Sequence, residues 1–253
     1  MIKITLPDGV IQEYKDTTTG IEIAENIGPK LLKDSIAIEI NDILYDLSYQ
    51  ISSDANIRII TKNDPDALHI LRHSSAHVLA QAVLNLYPDS KYGTGPSTED
   101  GFYYDFMFSD PISDKEMVKI EEEMMNIING GQTFNKEQYI LDEAKSMFKN
   151  QKYKLELIDT ADQSEGVVDK YVSVYSNNKF SDLCLGPHVP DTSYIKHFKL
   201  LRVAGAYWRG DSSNTMLTRI YGTAWRNEKE LDAYLKQLEE AEKRDHRKLG
   251  REM

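Results

Sequence analysis

Residues 67–86 read ALHILRHSSAHVLAQAVLNL, and the apolar side chains in this stretch recur at the spacing of an α-helix. The turn cluster Asn-Asp-Pro-Asp at 63–66 precedes the stretch and Pro88 follows it, so both ends of the helix are marked. A helix entered from such a turn indicates the start of a new folding unit, and we predict a domain boundary at residue 63. The apolar positions are Leu68, Leu71, Val78, Leu79, Ala82, Val83 and Leu86.

The segment before this helix, residues 1–62, reads as a small β-rich unit. Apolar and polar residues alternate over the first six positions, and Asp8-Gly9 then supplies a pair that favours a tight hairpin turn. A helix is predicted from Gly20 to about Ile27, and two later strands are predicted at Ile36–Ile40 and Ile57–Ile60. This order of elements is typical of a β-grasp, ubiquitin-like domain.

The segment after the helix predicts a larger α+β domain that ends at residue 226. A strand is expected at Phe102–Phe106, and a capping box at Ser113–Glu116 opens a further helix. The run Tyr153–Leu157 reads as a strand, and residues 227–253 read as a final amphipathic helix. The predicted fold class is therefore α+β, in three parts: residues 1–62, 63–226 and 227–253.

Composition excludes several classes of protein. The 253 residues include a single cysteine, so an internal disulfide is impossible, and no apolar run approaches the ~20 residues of a membrane span. The N-terminal residues lack the pattern of a secretory signal, and we expect a cytoplasmic protein with no membrane partner. The net charge is −11, yet residues 196–226 carry six basic side chains against one acidic side chain. A basic stretch of this kind can meet a phosphate backbone.

Histidines and the single cysteine fall into two short windows. His73 and His77 lie four residues apart on one face of the predicted helix, with His69 one turn earlier. Cys184 and His188 are also four residues apart, around the turn Gly186-Pro187. If the two windows meet in space, three imidazoles and one thiol surround a small polar volume.

Several interpretations of these windows stay open. The side chains could be unrelated core and capping residues. They could bind zinc, because three histidines and one cysteine are an acceptable tetrahedral ligand set. They could also form a metal-free hydrolytic site in which a neutral imidazole orients or deprotonates a water, with Asp182 nearby to hold a histidine tautomer. A thiolate nucleophile at Cys184 is a weaker alternative, because no glycine-rich oxyanion-hole segment accompanies it.

Five segments together resemble bacterial threonyl-tRNA synthetases in order and spacing. They are RHSSAHVLAQAV (72–83), GFYYDF (101–106), DLCLGPHVP (182–190), FKLLRVAGAYWRGD (198–211) and RIYGTAW (219–225). The resemblance implies a TGS domain, an editing domain and a linker helix. The chain then corresponds to an N-terminal fragment, and the class II catalytic domain, with its ATP, Mg²⁺, zinc and homodimer interface, belongs to missing sequence.

The chemistry implied by this resemblance is hydrolysis of the ester that joins serine to mischarged tRNA(Thr), with no cofactor required in the fragment. The partner is the acceptor end of that tRNA. The implied catalytic residues are His73, His77, Lys154, Asp182, Cys184 and His188, with Gly95 and Tyr104 in the pocket wall. In the basic stretch, Lys199, Arg202, Trp208 and Arg209 are expected to bind the RNA, with Trp208 stacking on a base.

Two rival functions remain at this point. One is a zinc-dependent hydrolase of the type found in alanyl-tRNA synthetase editing domains, in which His73, His77, Cys184 and His188 would be the metal ligands. The other is a non-catalytic tRNA-docking module in which the histidines and the cysteine are merely structural.

Overall fold

The computed structural model of the chain describes residues 1–168 and 170–252. The first unit contains seven strands and two helices. They are β1 (Ile2–Thr5), β2 (Ile11–Tyr14), β3 (Thr18–Thr19), α1 (Gly20–Ile27), α2 (Pro29–Asp34), β4 (Ser35–Ile40), β5 (Ile43–Asp46), β6 (Gln50–Ile51) and β7 (Ala55–Thr61).

The main sheet of this unit has the strand order β2-β1-β7-β4-β5, with β1 and β7 parallel at its centre. The predicted hairpin forms, because β1 pairs antiparallel with β2 around Gly9, which adopts a positive φ of 84°. Helix α1 begins after Thr19, which forms a capping box with Glu22, and its apolar face packs Ile23 into the sheet. This arrangement is the β-grasp fold that the sequence predicts.

The second unit is mixed α and β. Its elements are α3 (Pro65–Leu86), β8 (Lys91–Tyr92), β9 (Phe102–Met107), α4 (Asp114–Asn129), β10 (Asn135–Ile140), α5 (Leu141–Met147), α6 (Lys152–Asp159), β11 (Val167–Val168), β12 (Tyr171–Asn177), β13 (Phe180–Leu183), β14 (His197–Tyr207), β15 (Met216–Trp225) and α7 (Glu228–Glu252). Met253, which the sequence prediction includes in the last helix, lies outside the described residues.

Helix α3 is the central element of this unit. Every residue from Ser74 to Val83 is buried, because the helix packs against α4 and also against strands β9 and β15. Those strands belong to a sheet of order β14-β15-β9-β8, whereas β10, β11, β12 and β13 form a second sheet. A helix surrounded by protein can place polar side chains deep inside the domain, and α3 does so with His77.

One predicted element is wrong. The run Tyr153–Leu157, predicted as a strand, lies in helix α6. Its alternating apolar residues suggest a strand, but the buried positions are Tyr153, Lys154, Leu157 and Ile158. This spacing places them on one face of a helix. Among the helices described, none is both long enough and apolar enough to cross a bilayer.

Candidate active site

The two sequence windows come together between α3 and the loop that follows β13. Cys184 Sγ lies 3.2 Å from His73 Nε2 and 3.5 Å from His188 Nε2. The rings of His77 and His188 are 4.2 Å apart between centroids. One donor atom from each of these four side chains lies within 4.8 Å of all the others.

The loop that carries His188 is held in place from several sides. Gly186 adopts a positive φ of 77°, and a Cβ there would lie 1.9 Å from the Tyr175 hydroxyl oxygen. The His188 ring stacks on Phe134 with a centroid distance of 4.7 Å, and its Nδ1 lies 3.0 Å from Ser74 Oγ. Since that hydroxyl donates to the carbonyl of Ile70, we assign the proton to His188 Nδ1. This tautomer leaves Nε2 as an acceptor facing the thiol.

Burial keeps the histidines and the cysteine uncharged. It lowers the pKa of His73 to about 4 and holds the pKa values of His77 and His188 well below the usual histidine range. It raises the pKa of the Cys184 thiol. At neutral pH the cluster therefore consists of neutral imidazoles and a protonated thiol, a form of cysteine that is a poor nucleophile.

A buried ion pair lies next to this cluster. Lys154 is fully buried, and its Nζ lies 2.5 Å from Asp182 Oδ1. The Tyr104 hydroxyl donates to Asp182 Oδ2 at 2.5 Å, and His77 Nε2 lies 3.8 Å from the same oxygen. Burial raises the pKa of Asp182, and the Lys154 ammonium opposes that shift. Asp182 thus connects Lys154, Tyr104 and His77.

A cavity of about 240 Å³ opens beside the cluster. Gly95 lies in its wall and packs against Tyr104, where no side chain would fit, because a Cβ there would lie 2.0 Å from the Tyr104 ring. Lys154, Tyr104 and His188 support the site from behind the wall, whereas other predicted residues face the cavity directly. The lining residues are His69, His73, His77, Gly95, Pro96, Ser97, Ser164, Glu165, Asp182, Leu183, Cys184, Leu185 and Gly186.

Sequence reasoning missed Glu165, Ser74 and Tyr175. Burial, the largest influence on Glu165, raises its pKa to about 7, with Asp182 and Asp162 adding to the shift. Ser74 does lie in the quoted motif, one residue after His73, and could have been proposed as a hydrogen-bond partner. Nothing in the spacing of the sequence singles out Glu165 or Tyr175.

The predicted RNA-binding residues are engaged within the protein. Trp208 is 4% exposed and its indole N–H donates to Glu156, so little of its ring is left for a base to stack on. Arg209 Nη2 lies 3.4 Å from Asp162 Oδ2, and Lys199 Nζ lies 2.6 Å from Glu121 Oε1. The guanidinium of Arg202 lies 4.0 Å above the ring of Tyr221.

Trp208 and Arg209 do, however, line a groove of about 420 Å³. This groove shares Ser164 and Glu165 with the cavity, so the two are adjacent. Lys199 and Arg202 contribute to neither set of lining residues.

The histidine and cysteine cluster could bind a metal ion. Zinc–nitrogen and zinc–sulfur distances of about 2.0–2.3 Å require donor atoms a few ångströms apart, and this set meets the requirement. The hydrogen bond from His188 Nδ1 to Ser74 also orients that ring, as the second shell of a metal site does.

Comparison with known proteins gives consistent matches. Residues 2–61 match the TGS domain, and residues 172–221 match the threonyl and alanyl tRNA synthetase second additional domain. The threonine--tRNA ligase of Streptococcus mutans is 49% identical over 254 residues, which cover all of this chain and 38% of the relative. That of Paramagnetospirillum magneticum is 48% identical over 257 residues, which cover all of this chain and 40% of the relative.

The chain thus spans about two fifths of the length of the curated relatives that it matches. It carries a TGS domain followed by the additional domain that threonyl and alanyl tRNA synthetases share, and over its whole length it matches the N-terminal portion of threonyl-tRNA synthetases.

Proposed function

We propose that this chain hydrolyses the ester linking serine to mischarged tRNA(Thr). The observation that carries the proposal is a small cavity whose wall combines neutral imidazoles with a buried carboxylate. At about 240 Å³ it is smaller than the ~300–1,000 Å³ of sites for drug-sized ligands. Its size suits one small polar amino acid rather than a nucleotide.

The need for such a site follows from the chemistry of the two amino acids. Serine lacks one methyl group of threonine, and a missing methyl group in a pocket is worth only about 1–3 kcal/mol of discrimination. A second site that admits the smaller side chain and excludes the larger one supplies the remaining selectivity.

We assign His73 the role of positioning the water that attacks the ester. This histidine faces the cavity, but a base whose pKa is about 4 removes a proton inefficiently at neutral pH. We therefore assign it to accept a hydrogen bond and orient the water, with the terminal ribose hydroxyl of the tRNA assisting. The protonated thiol of Cys184 shapes the side-chain pocket, and the ring of His188 supports that thiol from behind the wall.

We assign Asp182 to bind the ammonium group of the seryl ester, because it is the more deeply buried of the two acidic side chains in the cavity wall, Asp182 and Glu165. Lys154 lies behind that carboxylate and is fully buried. It acts through Asp182, by favouring the ionised carboxylate, rather than by direct contact with the developing oxyanion.

We assign the acceptor end of the RNA to the groove beside the cavity. Ser164 and Glu165 border both, so an acceptor end that inserts its amino acid into the cavity would continue along Trp208 and Arg209. To contact phosphates, Arg209 would have to exchange its carboxylate partners for them.

A zinc-dependent hydrolase is the second candidate function, favoured by the compact donor set of His73, His77, Cys184 and His188. A zinc ion held by three of these side chains would leave a fourth coordination position open, where it would activate a water or polarise the ester carbonyl. Metal analysis of the purified protein distinguishes the two candidates. Stoichiometric zinc that disappears in Cys184→Ala supports the zinc site, whereas full activity after exhaustive chelation supports the metal-free mechanism.

Deacylation tests the proposal directly. The chain should release serine from seryl-tRNA(Thr) and leave threonyl-tRNA(Thr) near its spontaneous rate of hydrolysis. His73→Ala should lower the rate by about 10²–10⁴-fold, as loss of a positioned proton-transfer or water-orienting group does. His197→Ala is the matched control, because His197 begins β14 and is absent from the cavity wall. Equal background hydrolysis of both substrates would contradict catalysis and leave a tRNA-docking module.

A further inference from the structure

A carboxylate from the first domain reaches the site in the second. Asp46, the last residue of β5, accepts a hydrogen bond from the backbone N–H of His188 at 2.9 Å. Its other carboxylate oxygen accepts one from the hydroxyl of Tyr175 at 2.6 Å. The two donors are 142 and 129 residues away in sequence. Asp46 therefore joins the β-grasp domain directly to the loop that carries Cys184 and His188.

Both donors control the position of the loop from Cys184 to His188. The Tyr175 ring lies edge-on to His188 with centroids 4.5 Å apart, and its hydroxyl occupies the space beside Gly186 that a side chain would fill. Lys136 holds the same loop from another side, donating to the carbonyl of Leu185 at 2.7 Å. Without Asp46, the N–H of His188 would lose its acceptor inside the protein, which is unfavourable for a buried donor.

We propose that Asp46 is a positioning residue of the site and that the β-grasp domain completes the site by fixing the loop that carries Cys184 and His188. The kinetic part of this inference rests on the proposed hydrolytic function. Asp46 is absent from the cavity wall, so it acts through His188 and Tyr175 rather than on the substrate.

Two substitutions of Asp46 distinguish the effect of losing its hydrogen bonds from the effect of losing its charge. Asp46→Ala removes both acceptors. Asp46→Asn keeps an oxygen for the His188 N–H, and its amide can donate to the Tyr175 hydroxyl, which can also accept a hydrogen bond. The asparagine variant should therefore retain the loop geometry. Asp16→Ala is the control, because Asp16 is an exposed aspartate of the same domain.

The test uses the full chain and two measurements. The first is single-turnover deacylation of seryl-tRNA(Thr) at varied protein concentration. The second is the rate at which iodoacetamide alkylates Cys184, measured well below the melting temperature of each variant. Because Cys184 is the only cysteine and is buried, its alkylation reports the loop without background.

For Asp46→Ala we expect the maximal deacylation rate to fall about tenfold to a hundredfold, as misplacement of a catalytic group does, with little change in half-saturating concentration. Alkylation of Cys184 should be severalfold faster. Asp46→Asn should restore both values most of the way, and Asp16→Ala should match the wild type. Tyr175→Phe, which removes one of the two contacts, should change both values in the same direction but less.

Unchanged alkylation and deacylation in Asp46→Ala would overturn the inference, even if the melting temperature fell, because the residue would then be merely structural. If the wild type fails to deacylate seryl-tRNA(Thr), the proposed function fails, and alkylation alone decides the role of Asp46. Faster alkylation then supports loop positioning, and an unchanged rate rejects it. Should Asp46→Ala not fold, Tyr175→Phe carries the same two measurements.

Discussion

Glu165 is the residue whose charge state should change most visibly near neutral pH. Its side chain borders both the cavity and the groove, and burial raises its pKa from 4.5 to about 7. The folded protein therefore holds this proton more tightly than the unfolded chain between these two pH values. The stability that Glu165 contributes is complete below about pH 4.5 and is lost as the pH rises through about 7.

Replacement of Glu165 by glutamine should remove this pH dependence. At pH 8 we expect Glu165→Gln to be more stable than the wild type by up to about 3 kcal/mol, because no charge has to be buried. The difference should shrink towards zero as the pH falls to about 4.5. Urea unfolding at several pH values measures it, with the exposed Glu13→Gln as control. A stability difference that does not depend on pH would contradict the assignment.

At this scale the sequence is informative where residue type and spacing coincide. The sequence could single out four candidate site residues, because two pairs share a four-residue spacing and cysteine occurs once. They are His73, His77, Cys184 and His188. Glu165 could not be singled out, because it is one of many acidic residues and the folded chain brings side chains from other segments, such as Lys154, Asp182 and Arg209, close to it. The same is true of Asp46, whose two partners are more than a hundred residues away.

At the scale of elements, long periodic segments were predictable and short apolar runs were not. The periodicity of α3 predicts a helix, although burial around most of its circumference exceeds what an amphipathic stripe suggests. The sequence predicts a strand where helix α6 forms, because five residues of alternating pattern fit either structure. Only tertiary packing determines whether such a run becomes a helix or a strand. In this chain it forms a helix, whose buried face places Lys154 against Asp182.

The loop after β13 offers a test at this scale. Gly186→Ala would require a left-handed backbone with a side chain, at a cost of about 1–2 kcal/mol, and would also place its Cβ against the Tyr175 hydroxyl. Gly131→Ala is a matched control, because Gly131 also has positive φ but faces open space. Thermal melting and deacylation should show that Gly186→Ala loses more stability than the control and most of the activity. Equal effects of the two variants would mean that the loop tolerates displacement.

On the scale of the whole molecule, ion pairs reduce the positive charge that the sequence concentrates at residues 196–226. The basic stretch at 196–226 suggested an RNA-binding face, but four of its cations pair with carboxylates, mostly from other elements. These pairs are Lys199–Glu121, Arg209–Asp162, Arg219–Asp105 and Arg226–Glu230. Because an ion pair neutralises both partners, the surface presents less positive charge than the sequence suggests.

The two domains also share apolar packing. Ile36, Ala37 and Ile60, from the first domain, belong to the buried cluster of the second, whereas Ile4 and Ile23 belong to a separate cluster. Cooperative unfolding of the two domains is expected from this shared core together with the Asp46 contacts.

Ile60→Ala should therefore destabilise the second domain from a position in the first. Ile60 is fully buried, and an isoleucine-to-alanine change in a core costs about 2–5 kcal/mol. Both tryptophans, Trp208 and Trp225, lie in the second domain, so their fluorescence during urea unfolding reports that domain alone. The fluorescence midpoint should fall in Ile60→Ala and stay unchanged in Ile43→Ala, an exposed isoleucine of the first domain. An unshifted fluorescence midpoint, with a separate early transition in far-UV circular dichroism, would show that the domains unfold independently.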